Sequence, residues 1–173
     1  TATRLAQAWV EHANPTATYD TFLSSELAYW LETRQVQTEG AAGSILAELA
    51  DRMIAMNEQK QAEAKGFLMW LGDYTGLAPE DWKLKTYVER YWDHPWEDLL
   101  RALHYNASRM TRGPENREAL TKIRAEWEAS CARLKPLLAR IEATDRLIDL
   151  IVYRLYGLTP EEVAIVEARA HPR

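Results

Sequence analysis

An all-α fold is predicted: a bundle of about six to seven helices, with long antiparallel members and a short capped helix at the C-terminus. Three observations predict it. Seven glycines and seven prolines are few for 173 residues, and the strong helix formers Ala, Leu, Glu and Arg dominate. Apolar residues recur at steps of three and four, the spacing that lines one face of a helix. Strict apolar-polar alternation ending in a hairpin turn is not found, and no internal repeat of fixed period is visible, so neither a sheet nor a solenoid is expected.

The segment 1–40 is the least defined. Asn14-Pro15-Thr16 marks a turn. The first helix is placed after it, over about Tyr19 to Arg34, because Phe22, Leu23, Leu27, Trp30 and Leu31 fall on one side. A long helix follows from Ser44 to about Tyr74. Ile45, Leu49, Met53, Met56, Phe67 and Leu71 lie near helical spacing along it, and the Gln and Glu residues between Glu58 and Glu63 form a solvated face. Gly72 and Gly76 loosen its end, and residues 77–81 connect to a short helix beginning near Pro79.

Aromatic residues crowd the stretch from Tyr87 to Tyr105. Pro95 breaks it, with Asp93 or His94 near a cap and Trp96 to Arg109 helical. Arg112-Gly113-Pro114 is the clearest turn. Leu120, Ile123, Trp127, Cys131 and Leu134 then mark another amphipathic helix, with a disturbance expected at Pro136, which lacks an N–H.

Leu137, Ile141, Thr144, Ile148, Ile151 and Leu155 continue the pattern as one buried stripe. Gly157 stands where a helix ends in a left-handed conformation. Thr159 then supplies an N-cap, Pro160 suits the first helical position, and Glu162 reaches back to the cap N–H. Tyr153 and Tyr156, beside the stop, are expected to pack the last helix back onto the bundle.

The length suits one helical domain, and the start at Thr1 reads as a fragment or C-terminal part of a larger protein. The single Cys131 has no internal disulfide partner and reads as a small core residue. No apolar run is long enough to span a bilayer, and no signal sequence is visible, so a soluble cytoplasmic protein with no membrane role is expected. The net charge of −5 provides no general attraction for nucleic acid. The charge is uneven, however. Residues 1–80 hold five Lys/Arg against eleven Asp/Glu, whereas residues 101–154 hold eleven against seven.

Catalytic signatures are sparse. His12, His94, His104 and His171 are scattered without metal-ligand spacing, and there is neither a phosphate-cradling Gly-rich loop nor a nucleophile elbow. Asp145 and Asp149 lie four apart, and Glu161 and Glu162 adjoin, but a polar helix side and a helix N-terminus account for them. Arg101, Arg109, Arg112, Arg117, Lys122 and Arg124 cluster with no acid between Asp98 and Glu115. They fit either a solvated helix face or a surface that neutralises DNA phosphates. Tyr87, Tyr91, Trp92 and Trp96 fit either core packing or base stacking.

The ending Val152-Tyr153-Arg154-Leu155-Tyr156-Gly157-Leu158-Thr159-Pro160-Glu161-Glu162 resembles the C-terminal end of large adenine-specific DNA methyltransferases of restriction-modification (type IIG-like) and phage-defence systems. Upstream, Arg52 to Glu63, Phe67-Leu68-Met69-Trp70-Leu71, Trp82 to Thr86 and Tyr91-Trp92 look like the same regions. The family-like region is 44–167; the likeness covers about Leu49 to Glu167, and the ending is its most specific part. The resemblance implies a helical region that braces a target-recognition domain and the methyltransferase core, with DNA backbone as a further contact. Full-length members carry an Asn-Pro-Pro-Tyr-type motif that holds a flipped adenine for methylation by S-adenosylmethionine. Here the only Asn-Pro, Asn14-Pro15, continues as Thr16-Ala17. The chain is therefore expected to be non-catalytic and without a cofactor of its own, with S-adenosylmethionine belonging to the parent protein. The alternative is a free-standing helical interaction or oligomerisation module with no nucleic-acid role. A third reading is a small enzyme using Asp145, Asp149 or His94.

Overall fold

A computed structural model describes residues 2–12, 16–35 and 41–170. Among them eight α-helices and three single turns of 3-10 helix follow one another without a strand, an all-α fold. No helix among the described residues is long and apolar enough to cross a membrane. Packing divides the chain into two compact units, residues 1–56 with 139–173, and residues 57–138. Asn14, Pro15 and His171 lie outside the described residues.

The first unit contains α1 (Ala2–His12), α2 (Tyr19–Leu23), α3 (Glu26–Gln35), the start of α4 (Ala41–Thr75), the end of α7 (Arg117–Leu155) and α8 (Pro160–Ala170). Helix α1 lies in the segment that the sequence leaves least defined. Its Ala6 is buried, with Leu5, Trp9 and Val10 packed against the same core. Thr3 Oγ1 also donates to Glu48 of α4 at 2.6 Å.

The single helix expected over Tyr19 to Arg34 is instead two. Ser24 Oγ donates to the Asp20 carbonyl at 3.1 Å, and Ser25 Oγ accepts the Ala28 N–H at 3.1 Å. Serine hydroxyls compete with the helical ladder in this way, so the pair closes α2 and caps α3. Helical periodicity of the apolar residues survives the break, which is why it conceals it.

The C-terminal stripe is corrected in part. Leu147, Leu150 and Ile151 are wholly enclosed with Phe22 and Leu49, whereas Ile141, Ile148 and Leu155 are half-buried. Thr144 and Ile151 of the expected stripe are buried, while the most enclosed line of α7 runs beside it through Ala143, Leu147 and Leu150. Polar contacts tie this end of the chain to its beginning. Tyr19 OH donates to the Leu158 carbonyl at 3.2 Å, Arg146 Nε donates to the Ala17 carbonyl at 2.9 Å, and Arg154 pairs with Glu32 at 3.1 Å.

Gly157 ends α7 with φ +67°. The Leu158 N–H returns to the Tyr153 carbonyl at 3.1 Å, the six-to-one bond of a glycine-terminated helix. The cap that opens α8 is reciprocal. Thr159 N–H donates to Glu162 Oε2 at 2.9 Å, and Glu162 N–H donates to Thr159 Oγ1 at 3.3 Å. Tyr153 packs edge-on against Tyr19 at 6.1 Å. Tyr156 does not pack as expected: it is 80 % exposed.

The second unit contains the rest of α4, a 3-10 turn at Pro79–Asp81, α5 (Lys85–Glu89), a turn at Tyr91–Asp93, α6 (Trp96–Asn106), a turn at Ala107–Arg109 and the start of α7. Helix α7 runs unbroken through Pro136, which is exposed. One missing hydrogen bond does not end a helix anchored on both sides, here by Leu134 in one core and Leu147 in the other.

Between the 3-10 turn and α5 the backbone is held tightly. Asn106 is fully buried. Its Nδ2 donates to the Lys83 and Ala102 carbonyls at 2.9 and 2.8 Å, and its Oδ1 accepts the Lys83 N–H at 2.9 Å. This clamp adjoins Leu84, whose φ of +62° is a left-handed conformation that a β-carbon disfavours. Two of these bonds hold the neighbouring Lys83, and the third anchors Asn106 on α6, which together offset that strain.

Candidate nucleic-acid interface

The candidate DNA-contacting cations all fall within residues 57–138, and the structure sorts them by what they touch. Arg109 donates to the Asp81 carbonyl at 2.6 Å. Arg101 pairs with Asp98 at 3.3 Å and lies 5.8 Å from the Tyr87 ring centre. Arg124 pairs with Glu128 at 2.9 Å and lies 5.7 Å from the Trp96 ring. These three are partly engaged within the chain.

Arg112 and Lys122 differ. They arrive from separate elements, the turn before α7 and α7 itself, yet both lie over the Tyr74 ring, at 5.2 and 5.1 Å from its centre. Tyr74 in turn stacks on Trp70, one turn earlier in α4, at 5.1 Å and 10° between planes. Both cations are exposed, and neither has an ion-pair partner among the described residues. An aromatic face holds a cation without cancelling its charge. Exposed Arg117, at the first position of α7, likewise has no ion-pair partner among the described residues.

The placement of Arg112 depends on Gly76. This residue ends α4 at φ +72°, so it is a stop rather than a loosened end. The Thr75 carbonyl before it accepts the N–H groups of Thr111 at 2.8 Å and Arg112 at 3.4 Å, and Thr111 Oγ1 at 3.1 Å. A β-carbon on Gly76 would meet Thr111 Oγ1 at 2.5 Å. Gly76→Ala is therefore expected to cost about 1–3 kcal/mol from backbone strain alone, with Thr111 displaced as well. Denaturant unfolding of the variant measures the loss, and an unchanged midpoint would show that this contact holds nothing in place.

The aromatic cluster turns out to be core. Tyr91 is fully enclosed and Trp96 nearly so, with Trp92 half-buried. Base stacking on Tyr91 or Trp96 is therefore excluded by burial. Trp96 packs on Trp127 at 5.5 Å, and Tyr91 on Phe67 at 4.3 Å.

Tyr91 also begins a polar chain that sequence spacing did not reveal. Ser130 Oγ donates to Glu63 Oε1 at 2.6 Å, which leaves the Tyr91 hydroxyl as donor to Ser130, again at 2.6 Å. Arg133 completes the chain with two bonds to the Glu63 carboxylate, Nε to Oε2 at 2.9 Å and a terminal nitrogen to Oε1 at 2.8 Å. Glu63 thus belongs to a clamp between α4 and α7 rather than to the expected solvated face. Burial pushes the Tyr91 hydroxyl up to about 12. The Arg133 hydrogen bonds hold the Glu63 carboxyl below its ordinary 4.5, with the Ser130 bond adding to them. An ionised carboxylate beside a neutral phenol suits a structural clamp better than proton transfer at neutral pH.

A lowered folded-state value means that this pair stabilises the chain above the ordinary carboxylate range. That contribution disappears as pH falls through the folded value. The stability gap between the wild type and Glu63→Gln should therefore narrow below about pH 4.5. Parallel stability-pH curves for the two proteins would contradict the assignment.

Other chemical candidates acquire ordinary roles. His94 meets the Tyr87 ring edge-on at 5.0 Å and faces Asp98 at 3.6 Å. Burial pushes the Cys131 thiol up to about 11, which makes it a poor nucleophile. Among the described residues no group of three or more His, Cys, Asp or Glu side chains is arranged to hold a metal ion.

Trp70 and Tyr74 are the functional candidates that sequence reasoning passed over. Their spacing of four residues was the available signal. No family model, no curated protein and no solved structure matches the chain.

Proposed function

We propose that this chain is a non-catalytic helical region of a restriction-modification type adenine-specific DNA methyltransferase, supporting the target-recognition and methyltransferase domains and contacting DNA backbone through the 57–138 unit. The observation that carries the backbone contact is the convergence of Arg112 and Lys122 on the Tyr74 ring, exposed and without carboxylate partners among the described residues. Two fixed, uncancelled charges on one exposed patch suit a phosphodiester chain, whose binding is dominated by charge neutralisation. The burial of Tyr91 and Trp96 turns the reading away from base recognition and towards sequence-independent backbone contact. The likeness of the Val152–Glu162 segment to methyltransferase endings supports the attachment, and methylation would belong to the parent protein's methyltransferase domain.

The test uses the full chain in two binding experiments, one with short duplex DNA at low salt and one with a matching methyltransferase core. The proposal expects DNA binding without sequence preference and a stable complex with the core. If DNA is not bound even at low salt and the core is not bound, both roles fail.

A further inference from the structure

The 57–138 unit carries an open apolar groove of about 420 Å³ along α4, floored by Ala64, Leu68, Met69, Pro79 and Trp92. Met69 is 57 % exposed there. Lys60 and Lys65 stand on the rim with Glu80, and neither lysine has an ion-pair partner among the described residues. The rim therefore shows two positive charges and one negative around an apolar floor. From Lys60 to Met69 the groove follows α4 for about 13 Å at the helical rise.

Helix α8 presents the complementary surface. Val163 faces its own core, while Ala164, Ile165 and Ala168 are exposed in a row with Glu161, at helical steps of three and four. Ile165 is 55 % exposed and Val166, beside it, 42 %. Glu161 and Glu162 flank the row at one end and Arg169 at the other. Two negative charges and one positive thus border an apolar ridge. The ridge from Glu161 to Ala168 spans about 10 Å, which the groove accommodates. Its two alanines permit close approach of helix backbones.

We propose that α8 of one chain docks in the α4 groove of a second copy, so that the chain associates with itself head to tail. Glu161 and Glu162 meet Lys60 and Lys65, Arg169 meets Glu80, and Ile165 covers Met69 and Leu68. This is the helix-in-groove mode of recognition. One short helix in one groove is a small interface, so association is weak and depends on concentration and salt.

Sedimentation equilibrium of the full chain from about ten to several hundred micromolar tests this. The average mass is expected to rise with concentration and to fall back when salt is added. Lys60→Glu with Lys65→Glu removes the groove, with Met69→Lys as a second groove variant should the charge reversal unfold the chain. Ile165→Asp removes the ridge. Each variant alone is expected to stay monomeric. A groove variant mixed with the ridge variant should form pairs that stop at two chains, because each brings one intact half of the contact. A wild type that stays monomeric throughout, variants that associate as wild type does, or a mixture that stays monomeric would each overturn the proposal.

Discussion

Trp82→Ala is expected to destabilise the chain by about 3–5 kcal/mol, the usual loss when a buried tryptophan is truncated. Trp82 is 2 % exposed and packs within the cluster that includes Leu71, Val88, Leu99 and Leu103. Its indole N–H donates to the Leu77 carbonyl at 2.9 Å. Truncation would leave a cavity and an unpaired buried acceptor together, and both carry a cost. The same bond closes the connector between α4 and α5, beside the clamp that Asn106 makes on Lys83. Against total stabilities of about 5–15 kcal/mol for ordinary domains, that is a large fraction of what holds the chain folded. Urea unfolding followed by far-ultraviolet dichroism measures this, and a midpoint near that of the wild type would sink the assignment.

The second large effect belongs to the other unit. Leu147→Ala should cost about 2–5 kcal/mol, because the side chain is wholly enclosed among residues that cannot all collapse into the space. Ile148→Ala, one residue on, should cost clearly less, since Ile148 is only half-buried against the same core. The comparison distinguishes the two placements of the buried stripe on α7. If Ile148→Ala were the more damaging, the stripe expected from periodicity would be right and the observed one wrong.

The parts of the fold that were legible in the sequence are the local ones. Gly157, Thr159, Pro160 and Glu162 act within six residues of each other, so their chemistry states the stop and the restart directly. The extent of α4 and the helix from Trp96 were legible for the same reason. The Ser24-Ser25 break was hidden because apolar spacing continues across it and serines are compatible with a helix as well as with a cap. The stripe on α7 was legible only in part: Thr144 and Ile151 are buried as expected, but an Ile-rich and a Leu-rich line run side by side, and only the packing partners Phe22 and Leu49 decide between Leu147 and Ile148.

The candidate site was legible in part. A basic cluster around Arg112 was visible, but its members looked alike. What separates them is the carbonyl of Asp81, the carboxylates of Asp98 and Glu128, and the Tyr74 ring, each supplied by packing or by a neighbouring turn of helix. Glu63 and Arg133, seventy residues apart, show the same limit. Spacing rules reach one or two turns of a helix, whereas contacts of this range depend on the fold.

Duplex affinity as a function of salt, measured for the wild type and for Arg112→Ala with Lys122→Ala, tests whether these two cations meet DNA phosphates. If both cations neutralise phosphates, the slope of log affinity against log salt should become shallower by about 1.8 in the double variant, on unrelated sequences alike. Equal slopes for the two proteins, or no binding by the wild type at the lowest salt, would contradict the account.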